Sequence, residues 1–247
     1  MVDEQRLLAG LDGNGDKARA VHDTGWEYRK SGNYGKADEL DRYVIERWPK
    51  DVQAMWSRMD MAKTDIWQGN YDSADKAIDT LIADFNDQPE LPTAIFMLGE
   101  EYYNKAFVKE NEGQQAESKD YFRKAVAIWE RIINELPRSS MAPQAYYFAG
   151  RCYESLREYE KAIEYYQAVV DTWPDYDYAW NAQFLIGYCY KSMMDRAVIE
   201  KSEAQSHIQA AFEQVVLNYP ESPAAKMAGD WLRNCQKCRS SQEKQGE

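Results

Sequence analysis

Two histidines, four cysteines and an oxygen-rich opening segment are the residues whose types could support chemistry in this chain. A general base or a metal site needs a histidine set beside carboxylates or further ligands. His22 and His207 have no such constellation near them in the sequence, so both read as helix-surface residues. Asp12, Asn14 and Asp16 alternate as the first ligands of a calcium loop do, with Asp23 at the twelfth place. Lys17 stands where that loop needs glycine, so the segment reads as a polar turn before the first helix. Cys152 and Cys189 occupy matching places before Tyr153 and Tyr190 and read as small buried thiols. Cys235 and Cys238 form a Cys-x-x-Cys pair with neither a second pair nor an alternating strand and helix context, which argues against zinc and redox roles. Gly13-Asn14-Gly15 lacks the strand and the later glycine of a dinucleotide site, and neither a nucleophile elbow nor a phosphate-binding loop occurs. The expectation is a chain without catalytic residues, cofactor or metal.

Composition narrows the remaining classes. The 247 residues are 44% hydrophobic, 29% charged and 13% aromatic, enough to bury a core. A net charge of -12 disfavours nucleic acid and anionic lipid as partners. No apolar run approaches the roughly 20 residues that span a bilayer, so no membrane insertion is expected. Leu7 to Leu11 is too short for the apolar part of a secretory leader. The chain reads as soluble, and its compartment stays open: periplasmic if a leader has been removed, cytoplasmic otherwise. Few prolines and glycines, among abundant Ala, Glu, Lys and Gln, favour helices.

What must position any site is a recurring unit. Helix stops recur at Trp48-Pro49, Leu136-Pro137, Trp173-Pro174 and Tyr219-Pro220. Asn33-Tyr34 with Ala37 recurs as Asn70-Tyr71 with Ala74, and Phe85-Asn86 falls where a further stop belongs. In the clearest unit Gly150, Tyr153, Tyr159, Ala162, Tyr166, Val169 and Pro174 share offsets with Gly25, Tyr28, Tyr34, Ala37, Val44 and Pro49 of the first, although Asp41 takes the place of Tyr166. Gly99 with Tyr102 and Gly187 with Tyr190 open two more, while the second unit has Ala62 for the glycine and Asp65 for the tyrosine. Within each, apolar spacing of three and four residues breaks at a turn such as Ser31-Gly32-Asn33 or Gln68-Gly69-Asn70.

This arrangement resembles the tetratricopeptide repeat, a helix-turn-helix unit of about 34 residues. The resemblance implies an all-α fold, a right-handed α-α superhelix of about five helix pairs with a C-terminal capping helix. A single solenoid domain over 18–236 is expected, with units 18–50, 52–87, 91–138, 142–175 and 178–221 and a terminal helix over 222–236, between frayed segments at 1–17 and 237–247. A hairpin of this kind cannot bury its apolar face alone, so neighbours must stack. The third and fifth units carry polar insertions, around Asn104 to Lys119 and Met194 to Gln205, that read as helix extensions. The phrases around Tyr219 to Ala225 and Trp173 to Tyr176 resemble bacterial envelope members, of the outer-membrane assembly lipoprotein and Tol-Pal accessory types.

The resemblance also implies where binding would occur. First helices line a concave wall, and the residue after each core glycine faces away from the core. Trp26, Tyr188 and Arg151 hold that position, with Phe96, Tyr147 and Phe184 a turn earlier and Arg29, Tyr103 and Lys191 a turn later. His22 also falls in the earlier row. An aromatic and arginine-bearing wall suits a protein or peptide partner, because rings give contact area at little entropic cost. His22, Trp26, Tyr147 and Arg151 do not supply the lysines and asparagines with which some relatives clamp a terminal carboxylate. Second helices carrying Glu39, Asp41, Arg42, Glu46, Glu160, Lys161 and Glu164 read as a solvated face. The expected function is a non-enzymatic scaffold, monomeric or weakly self-associating. A self-assembling subunit is the first alternative, and a metal-binding or enzymatic domain the second.

Overall fold

The computed structural model describes residues 16–243, which form eleven helices with no strand among them. In chain order these are α1 (Lys17–Lys30), α2 (Tyr34–Arg47), α3 (Val52–Gln68), α4 (Tyr71–Phe85), α5 (Leu91–Asn111), α6 (Gln115–Glu135), α7 (Ala142–Leu156), α8 (Tyr159–Thr172), α9 (Ala179–Asp195), α10 (Lys201–Asn218) and α11 (Pro223–Glu243). The final helix continues past the end at 236 read from the sequence. Most of the calcium-like segment, with its residues Asp12 and Asn14, lies outside the described residues, as does the Cys238 side chain.

The stop and start signals of the sequence become helix ends for chemical reasons. The side chains of Asp16, Asn33 and Asp51 accept hydrogen bonds from the backbone amides of Arg19, Lys36 and Gln53, satisfying donors that have no partner inside α1, α2 and α3. Gly32 and Gly69 close the two tight turns at φ +78° and +85°, values that cost other residues a steric clash. Pro92 and Pro143 sit in the first turn of α5 and α7, where a missing amide does no harm. The long pairs foreseen at the third and fifth units appear as lengthened helices, 21 residues each for α5 and α6 against 15 for α7 and 14 for α8.

The chain divides into two compact units, Met1–Gly113 and Gln114–Glu247. In the first, α1 packs on α2, α3 on α4 and α2, and α5 on α3 and α4. In the second, each helix from α6 to α11 packs on the next, and α11 also reaches α9. Within each unit this is the helix stacking expected of the fold, while the two helices of the expected third unit, α5 and α6, belong one to each compact unit. The second unit builds its core from facing small and aromatic residues. A methyl group at Gly150 would lie 2.7 Å from the ring of Tyr166, and one at Gly187 would lie 2.5 Å from that of Phe212, so the bare glycines let those rings come close against the neighbouring helix.

The first unit departs from that plan. At Gly25 the equivalent methyl would meet nothing nearer than Leu40 Cβ at 3.5 Å, with Asp41 Oδ1 at 3.6 Å. Asp41 stands where the second unit has a ring, and it is buried. This corrects its assignment to a solvated face.

Candidate functional site

Two features of the first unit are available for chemistry or binding: an open aromatic groove and a buried polar cluster beneath it. Both begin from residues of α1 and α3, first helices of adjacent pairs. Along α1, positions four apart lie one above another, so His22, Trp26 and Arg29 to Lys30 form a strip. Trp26 and Trp67 are 42% and 54% exposed. With Tyr34, Arg29, Lys63 and Glu101 they line a groove of about 430 Å³. Its cations are largely committed to partners. Lys63 pairs with Glu101 at 2.7 Å, and Trp67 Nε1 donates to the other oxygen of Glu101 at 2.8 Å. Rings, rather than free charge, are what the groove presents.

The cluster lies where α1, α2 and α3 meet. Arg29 donates to Asp41 Oδ2 at 2.5 Å, to Asp38 at 3.2 Å and to the Thr64 hydroxyl. His22 Nε2 lies 3.3 Å from Asp60 Oδ2, yet neither ring nitrogen has a hydrogen-bond partner, and both are buried. Asp41 and Asp60 are buried as well, and one ligand atom from each of His22, Asp41 and Asp60 lies within 4.8 Å of the other two. Burial pushes the Asp41 carboxyl up to about 6; Arg29 opposes the shift and Asp60 reinforces it. For His22, burial disfavours the charged ring, but Asp60, Asp41 and Asp23 outweigh it and raise the pKa. His22 is therefore not a plain surface histidine, and it does have a constellation. The spacing along the chain gives no sign of it, because the three residues come from three helices.

In the second unit the corresponding places hold Tyr147, Glu154 and Tyr166. Tyr166 donates to Glu154 at 2.8 Å, and the two tyrosine rings lie 6.1 Å apart. The exchange of a tyrosine and a glutamate for an aspartate and an arginine turns an aromatic contact into an ionic one.

The wall residues named from the sequence divide. Tyr188, 45% exposed, lines a polar groove of about 450 Å³ with Glu154, Arg157, Tyr159, Asp195 and Arg196. Arg151, Phe184 and Lys191 in the second unit, and Tyr103 in the first, are partly buried. Phe96 and Tyr147 are core residues and offer no surface to a partner. Tyr147 is sealed by the entry to the next pair: the Tyr178 ring stacks on it at 5.3 Å, and Asn181 donates to its hydroxyl at 2.6 Å. Arg29 is buried by its ion pairs. In the row one turn before the glycine Phe96 and Tyr147 are covered, whereas in the row immediately after it Trp26 and Tyr188 are exposed and Arg151 is partly buried. Tyr34 and Trp67 are wall residues that the sequence does not single out; both flank the glycine turns and extend the same groove.

The comparisons agree with this architecture. Residues 113–177 match the family model of the tetratricopeptide repeat. No curated protein matches the chain. The C-terminal part of a TPR repeat-containing protein from Cytophaga hutchinsonii is similar in structure, at 15% identity and a TM-score of 0.53 over 92% of this chain and 78% of that one. A thermophilic TPR protein of Thermus thermophilus matches at 17% identity, with 85% and 95% covered and a TM-score of 0.43. MamA from Desulfovibrio magneticus matches at 20%, with 81% and 95% covered and a TM-score of 0.41. The all-α helical-repeat fold is thus shared with the Cytophaga protein. Among the described residues no helix is long and apolar enough to cross a membrane.

Proposed function

We propose, from the premise that this chain carries tetratricopeptide repeats, that it is a non-enzymatic scaffold holding a partner protein or peptide through the faces of its first helices. The observation that carries this reading is the open groove of the first unit, where Trp26, Tyr34 and Trp67 expose rings without filling a core. Desolvating such rings against a partner gains area at low entropic cost, and Lys63 with Glu101 supplies a polar rim. Tyr188, with Glu154, Arg157 and Arg196, lines a polar counterpart in the second unit. The test compares proteins captured from the native cell, in envelope and cytosolic fractions separately, by wild-type chain and by Trp26→Ala/Trp67→Ala. A partner that binds purified wild type and is lost by the folded variant supports the reading; unchanged binding overturns it.

Self-association is a second reading, favoured by apolar surface late in the second unit. Leu217 is 72% exposed on α10, with Val216 beside it and Met227 exposed on the packed α11. Light scattering over a concentration series decides it, since a strict monomer removes this reading.

A further inference from the structure

We propose that His22, Asp41 and Asp60 form a binding site for one borderline divalent transition-metal cation, represented by zinc, held where α1, α2 and α3 meet. The proposal is independent of the groove's function.

Ligand chemistry comes first. Imidazole nitrogen and carboxylate oxygen are both ligands that zinc takes, and water can hold its fourth position. A tetrahedral ion with bonds of about 2.0–2.1 Å sets its ligands roughly 3.3–3.4 Å apart. The His22–Asp60 edge already has that length, at 3.3 Å. Both His22 nitrogens are buried without an aligned hydrogen bond, and their near neighbours are carboxylates, Asp60 at 3.3 Å and Asp23 at 3.8 Å. Asp41 needs only a small side-chain shift, since its ligand atom is within 4.8 Å of the other two.

Ser57 is fully buried on α3 and turns its hydroxyl to Asp41. It is placed to serve as a fourth oxygen. Arg29 orients the set from behind, taking Oδ2 of Asp41 at 2.5 Å while Oδ1 lies toward Gly25. Carboxylate ligands held by an outer partner in this way are the usual support of a metal site.

Charge gives the third argument. Asp38, Asp41 and Asp60 meet Arg29 and, when its ring is protonated, His22, so the acidic groups outnumber the positive ones even then. A divalent ion bound in exchange for the His22 proton balances the three carboxylates together with Arg29. The metal would tie α1 to α3 and so fix the spacing of Trp26 and Trp67, which stand on those two helices.

The experiment uses the full chain after chelation, with Cys235→Ser and Cys238→Ser to remove the other candidate ligands. Zinc is titrated, with magnesium and calcium as controls, while the imidazole nitrogens are followed by NMR; two histidines make the spectrum readable. The expected result is saturation at one equivalent, a shift of one imidazole that persists in His207→Gln, and at least tenfold weaker binding in Asp60→Asn. Absence of any shift, loss of the shifted signal in His207→Gln, or undiminished affinity in a folded Asp60→Asn overturns the site. Should Asp60→Asn fail to fold, the His207→Gln spectrum decides alone.

Discussion

Replacing each core glycine by alanine separates the two ways this chain packs a helix pair. Alanine is a better helix residue than glycine by about 1 kcal/mol, and that gain is common to Gly25→Ala, Gly150→Ala and Gly187→Ala. What differs is the neighbour. At Gly25 the new methyl meets Leu40 at 3.5 Å and the Asp41 carboxylate at 3.6 Å, both ordinary contacts. At Gly187 it would meet two atoms of the Phe212 ring at 2.5 and 2.9 Å, roughly 1 Å inside the usual carbon separation. The ring has nowhere easy to go, being stacked on Phe184 at 5.2 Å and set edge-on to Trp231 at 5.3 Å. Tyr166, opposite Gly150, is tethered by its bond to Glu154.

Overpacking of this kind costs about 1–3 kcal/mol. Gly25→Ala should therefore be stabilising by up to about 1 kcal/mol, and Gly187→Ala should fall below it by about 1–3 kcal/mol, with Gly150→Ala between. For a chain of this size that gap is on the order of 2–12 °C in unfolding temperature. The assay is urea and thermal unfolding followed by circular dichroism, each variant being referred to wild type. Because the chain has two compact units, each substitution is scored on the transition it moves. If Gly187→Ala unfolds at or above Gly25→Ala, the aromatic-on-glycine packing described for the second unit is wrong.

Four further outcomes are expected. In chelated protein Asp41, with its pKa pushed up to about 6, and His22, raised above its usual value, bind protons more tightly folded than unfolded. Their contribution is therefore full at low pH and is lost as pH rises; the gap between wild type and Asp41→Asn in urea should move toward the variant by on the order of 1–3 kcal/mol between pH 4 and 7. Cys152 and Cys189 are buried, and burial raises both thiols, so in native protein they should react with a thiol reagent only through opening, while Cys235 reacts first. Trp26→Ala should change stability by less than about 0.5 kcal/mol, since an exposed ring contributes little to the fold. Tyr166→Phe should lose about 1–2 kcal/mol, because it removes the hydroxyl bonded to Glu154, and its thermal unfolding is the check.

How far the sequence could carry the reading follows from what each signal depends on. Glycines in turns, capping aspartates and prolines after aromatic residues act within a few residues, so helix ends and the pairing of α1 with α2 or α7 with α8 are legible from spacing alone. Exposure along a first helix is different, because it depends on what the next pair lays across it. Trp26 and Tyr188 are exposed on the row just after the core glycine. Tyr147, one turn away on the same helix face, is closed off by Tyr178 and Asn181 from the following pair. No periodicity within one repeat contains that information. The polar cluster is the extreme instance. Asp41 in place of a tyrosine is visible in the sequence as a departure from the repeat and passes there for degeneracy. Its meaning depends on Asp60 and Ser57, supplied by α3 in the neighbouring pair, and on Arg29 replacing the glutamate of the second unit. A buried carboxylate at a repeat position that normally holds a ring costs several kcal/mol unless something compensates it. Such a departure is better read as a demand for partners than as decay, and here the demand leads to the place where three helices bring a histidine and two aspartates together.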